Sequence, residues 1–105
     1  LDKIIDDSIK LQNSGAVALL LEGMKTNIAK KITEITKIPT IGIGASEFCD
    51  GQILVSEDML GMFTEYHPKF VKKYLNLSDK IKHAVKKYVT EIDRVKFPNK
   101  NFRYD

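Results

Sequence analysis

Glu22 is the residue of this chain best placed for acid–base chemistry, because it directly follows a run of six apolar residues. That run, residues 16–21, is typical of a strand buried on both faces of a parallel sheet. A second apolar run over residues 38–46 follows one amphipathic stretch, so the two runs predict a βαβ unit. In open α/β sheets and in (β/α)8 barrels, chemistry takes place at the carboxyl ends of the strands. Its position therefore makes Glu22 the first candidate for a catalytic group.

The sequence is compatible with two roles for Glu22. A glutamate at the end of a strand often caps the next helix or pairs with a nearby cation, here Lys25. Alternatively, apolar surroundings would make its carboxylate a stronger base, which suits removal of a proton from a carbon next to a carbonyl. The residue pattern alone does not decide between a structural and a catalytic role.

The sequence over Gly42, Ile43 and Gly44 begins like a dinucleotide-binding fingerprint but departs from it. Glu47 stands where the third glycine would be, and its carboxylate would repel a pyrophosphate. We expect the two glycines to allow close packing, or the close approach of a ligand, at the end of the strand.

The remaining metal-binding and nucleophilic side chains do not form a recognisable motif. His67 and His83 lie far apart, with no cysteine or second histidine three or four positions away, so the sequence predicts no metal site in this chain. We expect both histidines at the surface or at a helix end. Cys49 has no evident histidine partner and is interpreted as a small, partly buried thiol.

Helices are predicted on either side of these strands. The first covers the start of the chain and ends at a left-handed cap at Gly15, and the second runs from about residue 27 to 37 with Thr26 as N-cap. Pro39 then directs the chain into the second strand. Their apolar faces comprise Leu1, Ile4, Ile5, Ile9 and Leu11 in the first helix and Ile28, Ile32 and Ile35 in the second.

The second half of the chain is predicted to be mainly helical. Residues 47–52 form a polar loop, and residues 53–55 are too short a run to assign. Pro68 suits the first position of a short helix that carries Phe70, Val71 and Tyr74. A final helix begins after Ser78 as N-cap and must pack on something, while the tail beyond Pro98 is expected to be loose. Its apolar stripe comprises Ile81, Val85, Tyr88, Ile92 and Val95.

Composition indicates an ordinary globular protein of one domain at most. The chain has 105 residues, of which 43% are hydrophobic and 30% charged, and no stretch nears the roughly 20 apolar residues that span a bilayer. No secretory segment is evident, and a single cysteine fits a reducing compartment, so we expect a cytoplasmic protein without a membrane partner. The net charge of +3 is spread over separate helices, which argues against a nucleic-acid partner.

Five blocks of the sequence resemble the C-terminal part of the ketopantoate hydroxymethyltransferase family, in the order and at the spacing of that family. The resemblance covers nearly all of residues 1–105. The blocks are Leu20-Leu21-Glu22-Gly23, Ile38-Pro39-Thr40-Ile41-Gly42-Ile43-Gly44-Ala45, Cys49-Asp50-Gly51-Gln52-Ile53-Leu54-Val55, Asp58-Met59-Leu60-Gly61 and Pro68-Lys69-Phe70-Val71-Lys72-Lys73-Tyr74.

The resemblance implies an α/β fold, namely the C-terminal portion of a (β/α)8 TIM barrel, with about strands seven and eight and the C-terminal helices. It implies transfer of a hydroxymethyl group from 5,10-methylenetetrahydrofolate to 3-methyl-2-oxobutanoate to give 2-dehydropantoate, with Mg²⁺ and a homo-oligomer, a decamer in the family. Glu22 matches the family's proton acceptor. The metal-binding carboxylates and the substrate-binding serine and lysine belong to earlier strands, outside this chain, so we expect residues 1–105 to be inactive alone.

Three departures from the family pattern stand out. Many members have Val-Pro where Met24 and Lys25 stand, glycine where Ser46 stands, and histidine where Glu57 stands. If the glycine serves a positive φ, Ser46 would strain or shift the loop after the second strand. None of these departures touches Glu22.

Three other function classes predict different features. Another metal-dependent lyase or mutase of the phosphoenolpyruvate-type barrel superfamily would share the strands but not the blocks around Cys49 and Asp58. A non-catalytic helical interaction module would predict a stable fold of 105 residues with a helical partner. A basic nucleic-acid binder would show steeply salt-dependent association.

Overall fold

The computed structural model describes residues 2–63 and 65–104, which contain a three-stranded parallel sheet and helices before, between and after its strands. The strands lie in the order β1-β2-β3. The elements are α1 (Asp2–Asn13), β1 (Leu19–Glu22), α2 (Thr26–Ile35), β2 (Thr40–Ile43), β3 (Gly51–Gln52), α3 (Ser56–Met59), α4 (Leu77–Asp93) and a 3-10 turn (Lys100–Phe102).

The predicted βαβ unit is confirmed, with β1 and β2 parallel and paired from Leu19 with Thr40 to Glu22 with Ile43. The expected burial of the first strand on both faces is wrong for this chain. Leu19 and Leu21 are buried in the core, whereas Leu20 between them is 59% exposed. The reason is that α2 covers one face of the sheet, while the described residues leave Leu20 on the other face largely open.

Helix α2 packs its apolar face on the sheet as predicted, with Ile28 and Ile32 buried and Ile35 half-buried. Its start differs from the prediction: Lys25 occupies the N-cap without a side-chain cap, and Thr26 is the first helical residue. The helix ends at Ile35 because Thr36 is already extended.

The cap of α1 is confirmed, since Gly15 has a φ of +97°. Leu1 lies outside the described residues.

A third strand was not predicted, because two residues are too few to show a period. Its position beside β2 is held by Asp50, whose carboxylate accepts hydrogen bonds from the Thr40 amide at 2.8 Å and the Thr40 hydroxyl at 3.2 Å. The Gln52 side chain donates to the carbonyl of Ser46 at 2.7 Å. These contacts tie the loop after β2 to the sheet.

The short helix predicted to begin at Pro68 is wrong. The amides of Tyr74 and Leu77 donate instead to the carbonyls of Met59 and Leu60 at 2.8 and 2.9 Å. Backbone pairing with the segment after α3 thus replaces the bonds of a helix. Gly61 has a φ of +67° there, and a Cβ at this position would collide with the carbonyl oxygen of Leu75.

Helix α4 is confirmed, but it begins after Asn76 rather than Ser78, and it ends before Val95, which has a φ of +54°. Its apolar stripe is largely uncovered, with Val85 56% and Tyr88 53% exposed. The radius of gyration is 22.7 Å, compared with about 13 Å for a compact domain of this length. The chain is therefore elongated, and α4 does not bury its apolar stripe in the sheet core.

The tail is more ordered than predicted as far as Phe102. The Phe97 ring lies with its centroid 5.7 Å from those of both Tyr88 and Phe102, so the tail folds back on the end of α4. Among the described residues, no helix has the length and apolar character needed to cross a membrane.

Candidate active site

Glu22 is the last residue of β1 and lies at the carboxyl end of the parallel sheet. Because side chains alternate along a strand, it shares the face of Leu20, opposite the face that α2 covers. The Gly23 amide donates to the carbonyl of Ile43 at 2.9 Å, which fixes the backbone just beyond Glu22. The strand end thus holds the carboxylate on the open face of the sheet.

Neither structural role considered for Glu22 is present. Helix α2 has no side-chain cap, and no ion pair joins Glu22 to Lys25. Within residues 2–63 and 65–104, the Glu22 carboxylate has no hydrogen-bond partner, and the residue is exposed. Its two carboxylate oxygens are therefore available to a substrate.

The two glycines of β2 and its exit allow close packing, as expected. A Cβ on Gly42 would lie 2.9 Å from the Gln52 amide oxygen and 3.2 Å from the Cys49 sulfur. Gly44 has a φ of +58°, and a Cβ there would overlap the ring of Phe70. Phe70 thus lies against the carboxyl end of β2, a position that the predicted helix did not suggest.

The two histidines differ from each other in environment. His83 is exposed on α4, as expected, with its Nδ1 2.8 Å from the carbonyl of Asp79. The surface position expected for His67 is wrong: its side chain is 18% exposed, and neither ring nitrogen has a hydrogen-bond partner among the described residues. Its Nδ1 lies 3.9 Å from a carboxylate oxygen of Asp58. Sequence spacing gave no sign of this pair, because it forms through the irregular segment after α3.

Cys49 is free and buried in the core between the sheet and α2, which confirms its assignment as a packed thiol. Over the described part of the chain, no group of three or more histidine, cysteine, aspartate or glutamate side chains could hold a metal ion.

Comparison with known proteins gives the family context of this geometry. A family model described as ketopantoate hydroxymethyltransferase matches residues 1–100. The chain belongs to the ketopantoate hydroxymethyltransferase family. The resemblance of the five sequence blocks is thereby confirmed.

Curated relatives agree with that assignment. The chain is 48% identical over 101 residues to a 3-methyl-2-oxobutanoate hydroxymethyltransferase of Clostridium kluyveri, which covers 96% of the chain and 36% of the relative. A Caldicellulosiruptor saccharolyticus protein of the same name is 47% identical over 102 residues, covering 97% of the chain and 39% of the relative. One from Helicobacter pylori strain Shi470 is 48% identical over 97 residues, with 92% and 36% covered. The chain thus spans little more than a third of the length of these relatives.

The family departures fit the structure without strain. Ser46 is buried, does not have a positive φ, and its hydroxyl accepts a hydrogen bond from the Phe48 amide at 3.2 Å. Met24 packs against the core, and Glu57 lies exposed in the first turn of α3. The strain anticipated at Ser46 is therefore absent, because its φ is not positive.

Proposed function

We propose that this chain is the C-terminal part of an enzyme that transfers a hydroxymethyl group from 5,10-methylenetetrahydrofolate to 3-methyl-2-oxobutanoate. The products are 2-dehydropantoate and tetrahydrofolate, and one water is consumed. The observation that carries the proposal is Glu22, an unpaired carboxylate at the carboxyl end of a parallel strand in a chain of this family.

Glu22 would act as the general base. Its carboxylate takes the proton from C3 of 3-methyl-2-oxobutanoate as the C3–H bond breaks, and the electron pair moves toward the neighbouring carbonyl. The resulting enolate carbon forms the new C–C bond to the methylene carbon, both C–N bonds that joined this carbon to the folate break, and water supplies the hydroxyl oxygen. The two folate nitrogens take up the proton removed from C3 and the second proton of the water. A positioned carboxylate contributes about 10² to 10⁴ to the rate of such a proton transfer.

The apolar neighbours of Glu22 support this role. Its register partner Ile43 is buried and, because paired residues of parallel strands point the same way, shares its face. An apolar side chain beside the carboxylate suits the branched alkyl group of the substrate.

The described residues of this chain do not by themselves offer a ligand set for Mg²⁺. The metal site implied by the family would therefore need residues from the remaining length of the enzyme. The proton transfer proposed for Glu22 needs no metal ligand from this chain.

The fold proposed for the complete enzyme is a (β/α)8 barrel, to which residues 1–105 contribute about the seventh and eighth strands. Eight strands and about 250 residues are typical of that barrel, so the three strands described here would be inactive alone. Cytoplasmic location and homo-oligomeric assembly stay predictions.

A chimera tests the function. This chain replaces the matching region of the Clostridium kluyveri relative, and the resulting chimera is the complete enzyme. We expect it to form 2-dehydropantoate from 3-methyl-2-oxobutanoate and methylenetetrahydrofolate with Mg²⁺. Mass spectrometry detects the product. A folded chimera that forms no product, beside an active parent enzyme, would contradict the proposal.

A further inference from the structure

A second concave site lies at the same edge of the sheet as Glu22. It is a cavity of about 360 Å³, a size within the usual range of small-molecule pockets. Its lining is mainly apolar and aromatic, with one amide and one cation. The lining residues are Gln52, Ile53, Leu54, Met59, Phe70, Lys72 and Tyr74.

The strand register relates this cavity to Glu22. Ile41 pairs with Gly51, and the ladder continues, since the Ile53 amide donates to the carbonyl of Gly42 at 3.0 Å. Ile53 therefore lies beside Ile43, the register partner of Glu22. Two strand spacings, about 10 Å, separate the Glu22 and Ile53 backbones along this row.

The far wall of the cavity comes from the segment that replaced the predicted helix. Phe70, Lys72 and Tyr74 alternate along an irregular, non-helical stretch, and all three line the cavity. The Phe70 side chain lies against Gly44, the residue that follows Ile43. The Lys72 ammonium lies 5.0 Å from the centre of the Tyr74 ring.

We propose that this cavity is the subsite for the reduced folate, a ligand with a flat heteroaromatic ring and an anionic glutamyl tail. The inference rests on the proposed function. Phe70 and Tyr74 supply flat surfaces for the rings, and the thioether of Met59 adds a polarisable contact. Lys72 supplies the positive charge for a tail carboxylate. The position two strands from Glu22 lets the one-carbon unit face the enolate carbon.

The substitution Lys72→Met in the complete enzyme tests this assignment. We expect the KM for methylenetetrahydrofolate to rise about tenfold, which is the effect of losing about 1.4 kcal/mol of binding. The KM for 3-methyl-2-oxobutanoate should change little. Lys73→Met, which removes an equal charge from the neighbouring residue outside the cavity, is the matched control and should leave both constants unchanged.

A folate-free measurement separates this inference from the proposed function. Exchange of the C3 hydrogen of 3-methyl-2-oxobutanoate with deuterated water needs the base but not the folate, so Lys72→Met should exchange at close to the wild-type rate. Tyr74→Leu, at a side chain that is 67% exposed, should repeat the pattern without unfolding the enzyme. An unchanged folate KM in both variants would overturn the subsite. Equal loss of exchange and transfer would also overturn it, because the cavity would then be filled by the enzyme's own chain. Absence of exchange in the unsubstituted enzyme would instead count against the proposed function.

Discussion

Glu22 and Ile43 are register partners at the carboxyl ends of β1 and β2, and the amide after Glu22 donates to the carbonyl of Ile43 at 2.9 Å. The backbone of the candidate base is therefore fixed by the sheet, while its carboxylate has no partner among the described residues. A base held in this way can approach a substrate without first breaking an ion pair. This combination is what the proposed role of Glu22 as a general base requires.

The isolated chain should not unfold as a cooperative domain. Its buried apolar residues form one small cluster on one face of the sheet, and its radius of gyration of 22.7 Å is far above that of a compact fold. Exposed strand edges also favour association. We expect a broad denaturant transition and weak amide-exchange protection in residues 1–105. A sharp transition with strong protection in β1 and β2 would show that the chain is a domain by itself.

Substitution of Gly44 should cost more stability than substitution of Gly23. Both have a φ near +58°, but a Cβ on Gly23 has open space whereas one on Gly44 meets the Phe70 ring. Gly23→Ala should lower the free energy of unfolding by about 1–2 kcal/mol, because alanine is strained in the left-handed conformation. Gly44→Ala should lower it by about 1–3 kcal/mol more, because its Cβ would also overpack against Phe70. The measurement is the denaturation midpoint of the complete enzyme.

A double substitution checks the cause of that difference. Phe70→Ala removes the ring that a Cβ on Gly44 would meet, so the added cost of Gly44→Ala should largely disappear in that background. Equal costs for Gly23→Ala and Gly44→Ala in the unsubstituted background would show that Phe70 does not pack there.

The exposed stripe of α4 should be covered in the complete enzyme, by the rest of the proposed barrel or by a second copy of the enzyme. Val85→Asp would then bury an unpaired charge and lower stability or assembly by about 2 kcal/mol or more. Thr90→Asp, which adds the same charge on the opposite side of the helix, is the control and should have little effect. Thermal unfolding and analytical ultracentrifugation measure both properties. If the two variants behave alike, the stripe faces solvent.

The sequence predicted those elements whose periodicity is long enough to read. The β1-α2-β2 unit and α4 follow from repeated apolar spacing, and the strand-end position of Glu22 follows from the same pattern. The strand β3 is too short to show an apolar periodicity. Its position depends on the hydrogen bond from the Thr40 amide to the Asp50 carboxylate.

Other features arise from contacts between distant residues, which local propensity does not register. The predicted helix at Pro68 is replaced by backbone pairing with Met59 and Leu60, and that pairing brings Phe70 against Gly44. The half-buried pair of His67 and Asp58 forms through the same irregular segment. Helix starts were misplaced where the structure has no side-chain cap, at Thr26 and Ser78.

The role of Glu22 as the base is tested by the C3 hydrogen exchange of 3-methyl-2-oxobutanoate in the complete enzyme with Glu22→Gln. The amide keeps the shape of the side chain but cannot accept the proton, so the exchange rate should fall by about 10² to 10⁴. Glu34→Gln, the same change at an exposed position on α2, should exchange at the wild-type rate. If Glu22→Gln also exchanges at the wild-type rate, Glu22 is not the general base.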